Sequence, residues 1–512
     1  MTLADFKLAP WRTSHKQYSD SALAISPAPE YASSEVLLSS LYRTVGFEMV
    51  TEGSVPQAGR DLDKLVQKHR DRKLQPVGAL VGADTWNTII HGVLESPKLP
   101  NQSSKRFLQV SPLIPGMALF SGSARLSSNS WHAGGLIRRM IWLGARDKTS
   151  ADEIWGRLFT ALGVTEDDDV FARWLQEEAG AWTTPSPSWQ LVPVLDGDSM
   201  SLAGSGFQNL QFPARQFTKD LMAIITAKDS MTRRQWTSLL EAILRLAAVS
   251  HVTWLCDVQT RIWRNLQAAI SENSLNGNEG LVLPIFPESP QYMTYGGKAL
   301  LGFKDKASGY LQARLGINAI LWSLDDIGTP YTGGLSSSQD VMTLCSHIRQ
   351  NRAALASAGI ANIIAEVQEG EARALLCKKG IGSNLMEFAR HCLGQRQTAS
   401  PLLRGYDQGY VLRKKGSSPS SPWVVSLGPV AVLALVHCAL AGMGGPRSIH
   451  RLGKHLAAYG VAVDRDDIAN SDLGHQLRML GLVLDSPDAE SGMLLLPPFP
   501  ASGAINHQGS HQ

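Results

Sequence analysis

The side chains in this sequence that could do chemistry are scattered, and their spacing excludes more reactions than it supports. Tyr295-Gly296-Gly297-Lys298 and Gly302-Phe303-Lys304-Asp305-Lys306 set lysines beside glycines, the ingredients of a phosphate-binding loop. A loop of the GxxxxGK[ST] kind needs a hydroxyl residue directly after the lysine, so that backbone donors, ammonium and magnesium converge on the phosphates. Ala299 stands at that place, and in Lys378-Lys379-Gly380-Ile381 the lysines precede the glycine. Turns with solvated lysines are expected at the first two. Asp325 and Asp326 follow an apolar stretch, where carboxylates can hold a metal ion, but a nuclease also needs another acid and often a lysine beside them. Glu366, Glu369 and Lys378 are available, and their helical settings give no reason to converge. Gly197-Asp198-Ser199-Met200-Ser201 starts like the GxSxG nucleophile elbow and lacks its last glycine.

The thirteen histidines show no partner spacing, and Cys256, Cys345, Cys377, Cys392 and Cys438 form no CxxC pair. Zinc-ligand spacing is therefore missing, and an odd number of separated thiols in apolar surroundings predicts a reduced, cytoplasmic protein. No catalytic residue, cofactor-binding residue, cofactor or metal ligand is assigned, and a non-enzymatic role is the leading expectation.

Cations offer a second kind of chemistry, phosphate recognition. The 48 basic and 45 acidic side chains leave a net charge of +3, so any polyanion must be met by a local face rather than by the whole molecule. The densest basic cluster is Lys64, Lys68, His69, Arg70, Arg72 and Lys73. A solvated helix face is expected there, with nucleic acid or an acidic partner as the alternative. Thr232-Arg233-Arg234-Gln235 opens a helical pattern, where free backbone donors and two arginines suit phosphate. The competing expectation is ion pairing with Glu241 or Asp229.

The cations nearest the C-terminus sit in the most ordered set of signals. An apolar run from Val424 to Leu440 is followed by the break Gly442-Met443-Gly444-Gly445-Pro446, a helical pattern from Ser448 to Tyr459, and a third from Ser471 to Gly481. Two short apolar strands, Leu482–Leu484 and Met493–Leu496, then flank an acidic turn containing Asp485, Asp488 and Glu490. Helix, helix, helix and hairpin is the order of a winged helix. If Leu452, Leu456 and Tyr459 face inward, and Leu473, Leu477 and Leu480 form the next buried stripe, then Arg447, Arg451, Lys454 and His455 are placed for phosphates. His475, Gln476 and Arg478 are placed on the third helix, which can enter a major groove. The acids of the wing oppose DNA contact.

The elements that must carry these groups are mainly α-helical and expected in several domains, since 512 residues exceed one ordinary core. The predicted organisation is an irregular α+β N-terminal region at 1–190, a central mainly helical body at 191–395, a linker at 396–421, and a winged-helix-like domain at 422–512 with a flexible tail. Phe107–Val110 and Met117–Phe120 read as strands. Ala151–Leu162 reads as a helix capped by Ser150 with Glu153. Between Phe212 and Ser271, apolar residues recur three and four apart, and the length after Arg233 predicts a bend near Ser250 or two helices. The apolar run ending at Leu440 is too short to span a bilayer, and no membrane is expected.

These signals predict a subunit of a nucleic-acid-associated assembly that positions other protein subunits on double-stranded DNA, in a setting such as genome defence, mobile-DNA processing or transcription. The alternatives are a protein-only scaffold, and a divergent nuclease or nucleotide-dependent enzyme.

Overall fold

The computed structural model describes residues 1–25, 34–50, 75–94, 112–119, 132–182, 187–194, 212–271, 280–378, 380–396, 407–416, 418, 420–464, 468–485 and 493–499. It is mainly helical. The principal helices are α1 (Leu3–Leu8), α2 (Ser34–Gly46), α3 (Ala133–Gly144), α4 (Lys148–Leu162), α5 (Val170–Trp182), α6 (Ala214–Thr226), α7 (Arg233–Ile270), α8 (Leu300–Asp326), α9 (Ser338–Gln350), α10 (Ile360–Gly370), α11 (Ile381–Leu393), α12 (Pro429–Leu440), α13 (His450–Ala457) and α14 (Asp472–Met479). The strands are short: β1 (Met293–Thr294), β2 (Leu412–Lys414), β3 (Trp423–Val425), β4 (Arg447–Ser448), β5 (Val461–Ala462), β6 (Val483–Asp485) and β7 (Met493–Leu495).

Helix α7 organises the rest. A capping box joins Thr232 and Gln235 at its start, and 38 residues run unbroken to Ile270. The expected alternative of two separate helices does not occur. Apolar side chains ring α7 on every side, and a helix apolar all round is satisfied only when neighbours cover it all round. α2, α6, α8, α9, α11 and α12 do so. Its length and composition would suffice to cross a membrane, but 94% of its most apolar stretch is buried within the protein. Trp236, Trp254 and Trp263 anchor this layer and are buried. Where α7 and α8 cross, a Cβ on Gly316 would stand 2.3 Å from the Trp263 ring, so only glycine permits that approach.

The N-terminal segments clamp the outside of this layer. Phe6 of α1 packs with Leu315, Ala319 and Trp322 of α8 and with Ile363 and Val367 of α10. A smaller cluster centres on Trp86 and Trp182, whose rings stack with centroids 6.2 Å apart. Two local expectations fail here. The α4 cap is Asp147, which accepts from the Ser150 N–H at 2.8 Å, because the helix starts one turn before the predicted Ser150 cap. Pro115–Leu119 is a 3-10 turn rather than a strand, while Phe107–Val110 lies outside the described residues.

Toward the C-terminus, β2 pairs antiparallel with β3, β1 runs parallel to β5, and β4, β7 and β6 form a three-stranded antiparallel sheet in that order. The chain between α11 and α12 is tied to α7 by buried charge. Arg245 grips Asp407 with both terminal nitrogens, at 2.7 and 3.2 Å, and donates to the Cys392 and Gly394 carbonyls.

Candidate nucleic-acid interface

Three helices and the three-stranded sheet position the cations nearest the C-terminus. Pro429 at the first turn starts α12, and its apolar side chains pack against α6 and α7. After the break at Gly442–Pro446, β4 leads into α13, whose Leu452 and Leu456 are buried. Ser471 caps α14 by accepting from the Gly474 N–H, and Leu473 and Leu477 fill the interior. Leu480, predicted to extend that stripe, is 38% exposed because α14 has already ended and Leu480 forms its C-cap. The register Val483↔Leu495, Leu484↔Leu494 and Asp485↔Met493 closes the hairpin.

The seven proposed contact residues divide by environment. Arg447, Arg451, Lys454, His475 and Arg478 are exposed, and Gln476 is half-buried with an Oε1 that meets no hydrogen-bond donor among the described residues. Arg451 also donates from Nε to the Ala439 carbonyl at 2.6 Å, fixing α13 to the last turn of α12, where a cation suits the helix dipole. The Arg478 guanidinium is engaged inside its own module. It donates to the Ala469 carbonyl at 2.9 Å and approaches the Met493 sulfur at 3.5 Å.

His455 departs from its expected place. It is buried, with Nε2 2.9 Å from Asp220 Oδ2 and Nδ1 3.4 Å from the Gln216 amide. The Tyr459 hydroxyl donates to the same Asp220 carboxylate at 2.6 Å. Burial, with Asp220 alongside, pushes the Tyr459 phenol well above its ordinary value, so it stays a neutral donor. His455 thus docks α13 onto α6 and does not face solvent. The signal that could have found this was Asp220 itself, an acid set three residues from Phe217 and four from Ile224 in an apolar stripe. A buried carboxylate requires partners, and Tyr459 and His455 supply them.

The acids expected to oppose DNA lie partly beyond view. Asp488 and Glu490 are outside the described residues, as are the cluster from Lys64 to Lys73, the Gly197–Ser201 stretch and the tail beyond Phe499. Asp472, at the start of α14, is exposed.

The other candidates are dispersed. Arg233 is buried, and its Nη1 reaches both Asp168 oxygens at 3.1 and 3.2 Å and the Gly163 carbonyl at 2.8 Å, while Nε donates to the Leu113 carbonyl and Nη2 to that of Leu162. Its partner is neither Glu241 nor Asp229, and phosphate has no access to it. Lys298 is exposed beside the β1 turn, Asp325 pairs with the His15 ring at 3.0 Å, and Glu366 pairs with Lys7 at 2.6 Å. Among the described residues, no group of three or more histidines, cysteines or carboxylates is placed to hold a metal ion. No protein-family model matches the chain, and no curated protein matches it.

Proposed function

We propose that this chain is a non-enzymatic, cytoplasmic subunit of a nucleic-acid-associated assembly, in which the helical body carries protein contacts and a winged-helix-like C-terminal module meets duplex DNA. The observation that carries this reading is the exposure of Arg447, Arg451 and Lys454 on β4 and α13, beside a helix α14 that leaves His475 exposed and Gln476 half-exposed. In that arrangement the cations would neutralise backbone phosphates, and His475 and Gln476 would approach base edges. His455 takes no part, since it is buried against Asp220 of the body, and Arg478 is exposed with one terminal nitrogen on the Ala469 carbonyl.

Fluorescence anisotropy on a labelled duplex tests this. Affinity is expected to fall steeply with salt, and Lys454→Gln, an exposed site with a soluble replacement, is expected to reduce the log–log salt slope by about one. Salt-independent binding, or a slope that Lys454→Gln and Arg447→Gln both leave unchanged, would remove DNA from the proposal. A protein-only adaptor is the second reading, favoured by Met479, Leu480 and Leu484, exposed at 73%, 38% and 49% around the end of α14 and β6. Such a cluster suits a protein surface better than a phosphate backbone.

A further inference from the structure

Two cavities large enough for a small molecule open against α7. The first, about 590 Å³, is bordered by Arg234, Arg396 and Asp407, and its buried guanidiniums are already bonded, Arg245 to Asp407 at 2.7 Å and Arg396 to Glu241 at 3.0 Å. The second is different. It measures about 670 Å³ between α7, α8 and α10, within the ~300–1,000 Å³ common for ligand sites. Apart from Trp263 and Gly309, every residue lining it is polar or charged.

Arg264 and Gln267 of α7, Asp305 and Gln312 of α8, and Gln368 of α10 face this cavity from three helices. None of the five side chains makes a hydrogen bond or an ion pair among the described residues, so their donors and acceptors are open to a ligand. The charges beside them are uneven. Asp257 is shared by two cations, with Lys306 Nζ at 2.9 Å and Arg261 Nε at 3.7 Å, and the Tyr292 hydroxyl donates to it at 3.4 Å. At 3.7 Å the buried Arg261 Nε is too far for a hydrogen bond, and it meets no acceptor among the described residues. Arg261 and Arg264 therefore stand one helical turn apart with donors to spare. Forked guanidiniums so placed suit an oxyanion. Asp305, on the neighbouring helix, repels an anion from its own end and accepts from a hydroxyl, while each glutamine amide offers both a donor and an acceptor. An apolar body would gain little here, because only Trp263 offers it surface and every amide it covered would lose its water.

We propose that this cavity binds a small hydroxylated anion, a sugar carrying one phosphate or one carboxylate, with the acid on Arg261 and Arg264 and the hydroxyls on Asp305, Gln312 and Gln368. None of these residues belongs to β4, α13 or α14, so the proposal stands apart from DNA contact.

Isothermal titration calorimetry on the full-length protein compares glucose 6-phosphate, gluconate, glucose and inorganic phosphate. One saturable site is expected for an anionic sugar, and the tighter of the two identifies the acid. Glucose and inorganic phosphate are each expected to bind at least about tenfold more weakly than that sugar, since each lacks one half of what the lining recognises. Arg264→Gln, at an exposed position, is expected to weaken the anionic sugar by about tenfold and to leave glucose unchanged. Gln368→Ala is expected to weaken both sugars by about fivefold, the loss of one hydrogen bond, and to leave inorganic phosphate unchanged. Gln312→Trp, also from an exposed position, fills the cavity and is expected to abolish binding of all four. Lack of saturable binding by both anionic sugars, glucose or inorganic phosphate binding as tightly as they do, or full binding by Gln312→Trp would overturn the proposal.

Discussion

Arg233 and Arg234 are neighbours in sequence and opposites in environment. One is a buried hub that draws Asp168 and several loop carbonyls onto the start of α7, and the other is exposed at the rim of a cavity. Residue type announced that each would meet an anion or a carbonyl. It could not say which, because Asp168 comes from 65 residues away. His251 shows the same limit. It lies fully buried in α7, stacked on Trp254 with centroids 5.6 Å apart, and neither ring nitrogen meets a hydrogen-bond partner among the described residues. Burial, then the nearby Arg139, pushes its pKa from 6.5 down to about 3. The unfolded chain therefore binds this proton first. The sign follows: this contribution to stability is complete above pH 6.5 and is lost as pH falls toward 3. His251→Leu is expected to flatten the acid limb of a urea-denaturation stability profile by up to about 1.4 kcal/mol per pH unit. His391 and His437, also lowered by burial, would retain their share of the slope. An unchanged acid limb in His251→Leu would show that the ring is protonated in the native state.

Periodicity located most helices, since a three-to-four repeat survives whatever the helix packs against. α12 to α14 and the β6–β7 pair fall where the apolar spacing places them, while Gly302–Lys306, expected as a turn, lies inside α8, which begins at Leu300. What periodicity missed was continuity. A 38-residue helix exceeds what an isolated pattern suggests, and α7 persists through Ser250 because that hydroxyl donates to the Tyr459 carbonyl while neighbours cover every face. The α7–α8 crossing gives a direct check. Gly316→Ala would drive a methyl into the Trp263 ring, and the expected cost is about 1–3 kcal/mol, the range for overpacking a tight core. A lowered midpoint in guanidinium denaturation is the readout. A wild-type midpoint would mean that the ring moves aside freely.

At the scale of the molecule, the C-terminal module leans on the body through polar contacts as well as apolar ones. Tyr459 and His455 close on Asp220, Ser250 bonds to the Tyr459 carbonyl, and β5 lies parallel to β1. A fragment of residues 422–512 loses all of these, and it is expected to show no cooperative thermal transition by circular dichroism, whereas the full chain does. A sharp melt of the fragment would establish the module as independently stable.

The sequence by itself determined the helical character, the order of elements near the C-terminus and the absence of a phosphate-loop or GxSxG spacing, since each of these depends on neighbours a few residues apart. Only the tertiary structure decided that His455 and Arg233 are buried, that Arg478 serves its own module, and that Arg234, Arg396 and Asp407 border one cavity. Those outcomes join residues from distant elements, and a charged side chain is drawn inward only where the fold brings it a partner strong enough to replace water.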